Sequence, residues 1–282
     1  MDVILVRYAE VGLKSRGVRS RFERILIDNM MSILAHDGIE AIIACDHGRI
    51  FVETADAQKA GESVRRVFGV ASISIARKIT GGLKELRDAV AEYSLTEMSE
   101  GQTFKIEARR TGTHPFTSMQ AAAELGEAVL MSNESRKIKV DLHHPDVVIY
   151  AEIRENQCYI FSTYIDGPAG FPMSSQGKVL AVLENERDSV AAWLIMKRGC
   201  RCVVMGHQGA IDILRRWDPE LKVVGSSDPA EAAVKYKAAA VVYGLGVKDI
   251  ERISTLNMSV PVFYPLIGMD DEEIERRLAS II

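Results

Sequence analysis

The chain has 282 residues, 47% hydrophobic and 26% charged, which is enough apolar material for two or three packed domains. A net charge of −4, from 35 Lys+Arg against 39 Asp+Glu, excludes a uniformly basic nucleic-acid binder and leaves only local charge to argue from. The four cysteines, Cys45, Cys158, Cys200 and Cys202, form no C-x-x-C pair, so no disulfide framework is expected and a reducing, cytoplasmic compartment is.

The opening MDVILVRY is too short an apolar run for a signal peptide, and no later run approaches a bilayer span, so neither export nor membrane attachment is expected. VILVRY reads as a strand. A basic loop follows, GLKSRGVRSRF, and then FERILIDNMMSILAHDG, whose apolar residues recur at helical spacing and stop at Gly38. IEAIIAC and GRIFVET are strands joined by a DHG turn, AQKAGESVRRVFG is a helix and ASISIARKI a strand. The order β-α-β-β-α-β is that of a ferredoxin-like unit over 1–80.

A second α/β module is read over 81–167: the helix GGLKELRDAVAEYSL, the strand FKIEARR, the loop THPFTS, the helix MQAAAELGEAVLMSN, then the strands IKVDL, VVIYAEIR and CYIFSTYI. GPAGFPMSSQG, rich in Gly, Pro and Ser, reads as a hinge. From 177 to 282 strands alternate with helices, beginning KVLAVL and SVAAWLIMKRG, which predicts a small doubly wound parallel sheet of five strands. The fold class is therefore mixed α/β and α+β.

Two basic segments stand out. Lys14, Arg16, Arg19 and Arg21 precede a helix, and such a cluster either tracks a sugar-phosphate backbone or is a solvated face. Arg109 and Arg110 leave a strand into a loop carrying Thr111, Thr113, Thr117 and Ser118, which either holds phosphate oxygens or supplies a helix cap. His143 and His144, adjacent in DLHHPD, read as a surface turn, with no partner at ligand spacing, so no metal site is expected. Cys200 and Cys202 flank Arg201 on a strand, where a thiol packs as a small hydrophobe or, less simply, serves as a nucleophile.

The segments ILVRYAEVGLKSRGVRSRFE, FKIEARRTGTHPFTS, VDLHHPDVVIYAEIRENQCYIFS, GPAGFPMSSQGKVLAVL and VPVFYPLIGMDDEEI, in this order, resemble the tRNA 4-thiouridine synthetases, also called tRNA sulfurtransferases and linked to thiamine biosynthesis. The resemblance spans nearly the whole chain. It implies a ferredoxin-like domain (1–80), a THUMP domain (81–167) and an ATP-pyrophosphatase or PP-loop domain (177–282). It implies contact with the acceptor-stem region of tRNA through Lys14, Arg16, Arg19, Arg21, Arg109 and Arg110, and a homodimer.

The family's phosphate loop reads Ser-Gly-Gly-x-Asp-Ser where this chain has Glu184, Asn185, Glu186, Arg187, Asp188 and Ser189. Asp188 and Ser189 match. The glycines that let a backbone approach pyrophosphate do not, and Glu184 and Glu186 are expected to face a polyanion with Arg187 offsetting one of them at most. A like-charge contact at about 4 Å costs about 1 kcal/mol in water and about 4 kcal/mol at an effective dielectric constant of about 20.

The stretch 206–238 lacks the family's sulfur-transfer cysteine, VVYGLGV departs from its Thr-Gly-Glu segment, and PLIGMDDEEI persists close to Ile282. The resemblance implies tRNA binding, and these departures from it lead to the expectation of a lost nucleotide loop, no catalytic residue and no cofactor, with a candidate catalytic partner chain that modifies the tRNA. An active sulfurtransferase using ATP and Mg²⁺ with an altered loop remains open, as does a structural or regulatory subunit that binds no RNA.

Overall fold

A computed structural model describes residues 2–46, 48–226 and 228–282. His47, in the expected DHG turn, lies outside the described residues. The N-terminal half follows the expected order: β1 (Asp2–Arg7), α1 (Arg16–His36), β2 (Ala41–Asp46), β3 (Arg49–Thr54), α2 (Ala57–Val64) and β4 (Ser72–Thr80). Next come α3 (Leu83–Glu97), β5 (Thr103–Thr111), α4 (Ser118–Ser132), β6 (Lys139–Val140), β7 (Val147–Arg154), β8 (Gln157–Phe161) and β9 (Ile165–Asp166). The last part alternates β10 (Lys178–Leu183), α5 (Asp188–Lys197), β11 (Arg201–Gly206), α6 (Gln208–Arg215), β12 (Lys222–Val223), α7 (Pro229–Lys235), β13 (Ala240–Tyr243), α8 (Ile250–Thr255), β14 (Val262–Phe263) and α9 (Asp271–Ile281).

These elements gather into two compact units. One holds the N-terminal strand through Val6, Ile50–Gly61 and Ile73–Ile165; the other holds Arg7–Arg49, Glu62–Ser72 and Asp166–Ile282.

In the first unit the strands run β3-β1-β4-β8-β7-β5-β6 in one sheet. β4 pairs antiparallel with β8 from Arg77↔Ile160 to Thr80↔Gln157, so the sheet crosses the 80/81 boundary without a break. β5 and β7 are parallel, from Phe104↔Val147 to Thr111↔Arg154. One face of this sheet is closed by α3 and α4, which place Leu86, Val90, Leu125 and Val129 against Phe104, Ile106 and Ile149. Between the helices Asn133, 1% exposed, donates from Nδ2 to Ser94 Oγ at 2.7 Å and to Val129 O at 3.0 Å. Asn133→Ala removes the bond to Ser94 Oγ, while Val129 O keeps the backbone N of residue 133 and Ser132 Oγ as donors, so the expected cost is about 0.5–1.5 kcal/mol, read from urea unfolding.

In the second unit the sheet order is β12-β11-β10-β13-β14, and every pair is parallel. Alternate residues of β10 feed opposite faces: Val179, Ala181 and Leu183 join the core under α5, α6 and α9, while Leu180 and Val182 join the core under α7 and α8. A strand buried on both sides is uniformly apolar for this reason, and KVLAVL is. The expected five-stranded doubly wound sheet is the one observed.

α1 begins earlier than expected. Helix geometry starts at Arg16, so of the basic segment only Lys14 precedes the helix, while Arg16, Arg19 and Arg21 ride on its first two turns. Gly17 and the charge run suggested a loop, but arginine is a strong helix former and one glycine costs only about 1 kcal/mol. The far end is as expected: Gly38 adopts φ +68°, and Ile39 N donates back to Leu34 O at 2.9 Å. Among the described residues no helix is long and apolar enough to cross a membrane.

Candidate functional site

The chain leaves β10 toward β11 on one side and returns to β13 on the other, so the order of crossovers reverses between β10 and β13. At such a switch point the turns after the two strands diverge and leave a crevice at the carboxyl ends. Here it is a cavity of about 430 Å³, walled by the turn after β10, by Gly244–Gly246 after β13, by the start of α8 and by the start of α9.

Asp188 organises the turn. Its carboxylate, 5% exposed, accepts from Glu184 N at 2.6 Å and Asn185 N at 3.1 Å. The amides of Asp188, Ser189 and Val190 donate to the carbonyls of Asn185, Glu186 and Arg187 at 3.2, 3.1 and 3.0 Å, and Arg187 N donates to Asn185 Oδ1 at 3.0 Å. Ser189 is fully buried and its hydroxyl donates to Glu186 O at 2.6 Å. Backbone N–H groups that would cradle a phosphate are thus occupied by the turn's own oxygens.

Burial pushes the Asp188 carboxyl above the usual carboxylate range, although the two amides and Arg187 oppose the shift. Across the crevice the close approach of β13 needs a glycine: a Cβ on Gly244 would stand 1.8 Å from Asp188 Oδ1.

The cations of the crevice are also taken. Arg252 grips Glu184 with both terminal guanidinium nitrogens, Nη1 donating to Oε2 at 2.7 Å and Nη2 to Oε1. That two-pronged contact holds the Glu184 carboxyl below its ordinary value and raises that of Arg252. Arg187 and Lys248 share Asp271, at 2.7 and 2.6 Å.

Arg187 therefore serves Asp271 and not a loop glutamate, which corrects the expected pairing. Glu186 does not line the cavity; its Oε1 lies where a Cβ on Gly209 would be only 2.7 Å away, beside the start of α6. Only Glu184 of the two glutamates fronts the crevice. Carboxylates of Glu184, Asp188, Asp249, Asp270 and Asp271 outnumber Arg187, Lys248 and Arg252 there.

Of the basic residues on and before α1, Arg16 and Arg21 are exposed. Arg19 instead ties down the preceding turn, donating to Gly12 O at 3.0 Å and Lys14 O at 3.3 Å, and Lys14 Nζ sits 4.8 Å from the Phe171 ring centroid. Arg109 and Arg110 are exposed but still inside β5, in register with Glu152 and Ile153. Successive strand residues face opposite ways, so the two arginines sit on opposite faces of the sheet and do not form the paired fork the loop reading anticipated.

Thr117 is the cap of α4, in a reciprocal box with Gln120 at 2.8 and 3.1 Å. The amides of His143 and His144 both donate to Asp141 Oδ1 at 2.9 Å, a surface turn. Cys202 is buried in β11 with its thiol toward Ala192 O, and burial raises the thiols of both Cys200 and Cys202, so both pack as small hydrophobes. Sequence reading missed Lys248, Arg252 and Asp271, whose partners lie 23 to 84 residues away along the chain.

Comparison with known proteins bears on this arrangement. Residues 3–74 match the ThiI ferredoxin-like domain and residues 82–163 the THUMP domain. The probable tRNA sulfurtransferase of Methanothermobacter thermautotrophicus is 35% identical, covering 97% of this chain and 83% of its own length. That of Methanobrevibacter smithii is 31% identical over 98% and 85%.

Among solved structures, PH1313 from Pyrococcus horikoshii superposes with a TM-score of 0.86 at 29% identity, over 100% of this chain and 99% of that one. A 4-thiouridine synthetase–RNA complex with bound ATP shares the fold, with a TM-score of 0.81 at 21% identity over 100% and 85%. Two domain matches and whole-length relatives above 30% identity agree with the order of modules traced from β1 to α9: the chain belongs to the tRNA sulfurtransferase family.

Proposed function

We propose that this protein binds tRNA in the acceptor-stem region through its ferredoxin-like and THUMP modules, and that its PP-loop-like module no longer turns over ATP. It holds tRNA for a modification enzyme supplied by another chain, as a cytoplasmic homodimer, and needs no cofactor of its own. The observation that supports this most directly is the filled anion cradle: Glu184 N, Asn185 N, Arg187 N and the first amides of α5 all have internal acceptors. Triphosphate would have to displace the Asp188 carboxylate and break the Arg252–Glu184 and Arg187–Asp271 pairs to reach those amides and cations. The residues present do not fit Mg-ATP.

Calorimetry with Mg-ATP is expected to show no binding at micromolar concentrations; a dissociation constant in that range overturns the reading. The rival reading, an active sulfurtransferase, is favoured by one observation: Asp188 keeps its place in the lining of a cavity at the switch point. Pyrophosphate release dependent on ATP and unmodified tRNA distinguishes it. Salt-dependent binding of tRNA excludes the remaining alternative, a structural subunit that contacts no RNA.

A further inference from the structure

A second cavity, of about 450 Å³, lies within the second unit, away from the switch-point crevice. It is built where three segments end on adjacent basic pairs: Arg65 and Arg66 after α2, Lys197 and Arg198 at the end of α5, Arg215 and Arg216 at the end of α6. Arg65, Arg66, Lys197 and Arg216 line it, against the acids Glu62 and Asp166.

A basic residue at a helix C-terminus is ordinary, since it answers the helix dipole. Three such ends meeting at one cavity is a different matter, because the four cations of its lining repel one another and face only two acidic side chains, Glu62 and Asp166. In the switch-point crevice every cation is bound to a carboxylate. Here Arg65 reaches Glu62 and Arg66 reaches Asp37, while among the described residues Lys197 and Arg216 have no carboxylate partner.

The rest of the wall combines two indoles with Pro168, Ile281 and Ile282. Trp193 and Trp217 meet edge to face at 5.3 Å, and Lys197 Nζ lies 5.3 Å from the Trp193 ring centroid. Trp193 is 9% exposed and its indole N–H has no acceptor; Arg66 Nε is likewise buried without one. Cations without a carboxylate partner beside indole rings describe a ligand that is anionic and planar in part.

We propose that this cavity binds a nucleotide-sized phosphate ester, with its phosphate on Lys197 and Arg216 and its base against the indole wall. The ester is one unit of a bound tRNA strand or a free nucleotide. In the first form the proposal rests on the tRNA-binding reading above; in the second it does not.

The chain has two tryptophans, and both line this cavity, so tryptophan fluorescence reports on it and, through Trp217, on a smaller cavity beside α1, but not on the crevice; the K197A/R216A comparison separates the two. Wild type and K197A/R216A, compared at equal melting temperature, are titrated with tRNA and separately with cytidine monophosphate, alongside a gel shift with tRNA. Wild type is expected to show saturable, absorbance-corrected quenching with at least one of the two. In the variant the apparent affinity should fall about tenfold or more, as expected for removal of charge-assisted hydrogen bonds.

A gel shift with unchanged fluorescence in both titrations overturns the site and leaves tRNA binding standing. Nucleotide quenching without any gel shift does the reverse. Identical titrations for wild type and variant overturn the site in either form.

Discussion

Binding of tRNA to the intact chain is expected to weaken about 10³-fold or more between about 50 and about 200 mM salt, if about six phosphates are neutralised. The dependence follows from counterion release, about 0.9 log units per log salt for each phosphate on a duplex stem. Because Arg19 and Lys14 hold the turn before α1, R19A and K14A would mix charge removal with local disorder. R16A/R21A removes exposed charge alone and should flatten the slope by about 0.9 for each phosphate that is no longer neutralised.

Arg109 and Arg110 sit on opposite faces of β5, so R109A and R110A should differ in effect, with one accounting for most of the double variant's weakening. A filter-binding titration in which R109A/R110A matches wild type at every salt concentration overturns the assignment of β5 to the RNA surface. Phosphate contacts position an RNA without reading its sequence, so an acceptor minihelix should outcompete a plain duplex of equal charge by shape.

The largest effect on stability is expected at the crevice. Gly244→Ala would drive a methyl to within 1.8 Å of Asp188 Oδ1 and 2.9 Å of Asp188 Cα, so side-chain rotation alone cannot relieve the clash. A cost of roughly 3 kcal/mol or more is expected, at the upper end for overpacking, visible as a fall in melting temperature.

Asp188→Ala leaves the amides of Glu184 and Asn185 without an acceptor and should cost about 1–3 kcal/mol, whereas Asp188→Asn keeps an oxygen there and should cost less. Since burial raises the folded-state pKa of Asp188, the folded protein binds more protons than the unfolded chain between the two pKa values. Its contribution is fully present below the unfolded value and is lost as pH rises through the folded one. Relative to wild type, D188N should therefore look worst in acid and improve toward neutral pH; the opposite trend refutes the inward placement of this carboxylate.

How much of this was legible in the sequence differs by scale. The β-α alternation after 177 predicted the doubly wound sheet because a strand buried on both faces, such as KVLAVL, cannot disguise its pattern. Gly38 announced the end of α1 because its left-handed backbone suits glycine. The start of α1 was misplaced because Lys14–Arg21 has neither an apolar period nor a proline to mark a boundary.

The crevice was legible as a departure from a glycine loop, but not in how the turn repairs itself. Local sequence showed Glu184 and Glu186 as neighbours. It could not show that the fold brings Arg252 to Glu184 and sends Glu186 toward Gly209. Exposed ion pairs between distant segments leave no periodic trace in either partner's surroundings.

Phe68 lies just before β4, in the module that resembles a ferredoxin, yet it packs within 5.5 Å of both Trp193 and Trp217 in the core beneath α5 and α6. Asn29 and Ser32 of α1 likewise donate to Met173 O and Glu220 Oε1. A chain that had merely ceased to use its C-terminal module could not shed it cheaply. Truncation would strip a fully buried phenylalanine of its surroundings and leave an adhesive surface on the remainder. Were the module idle, as proposed, selection against aggregation would suffice to keep it folded, leaving its loops free to drift into self-satisfying turns while its core is not.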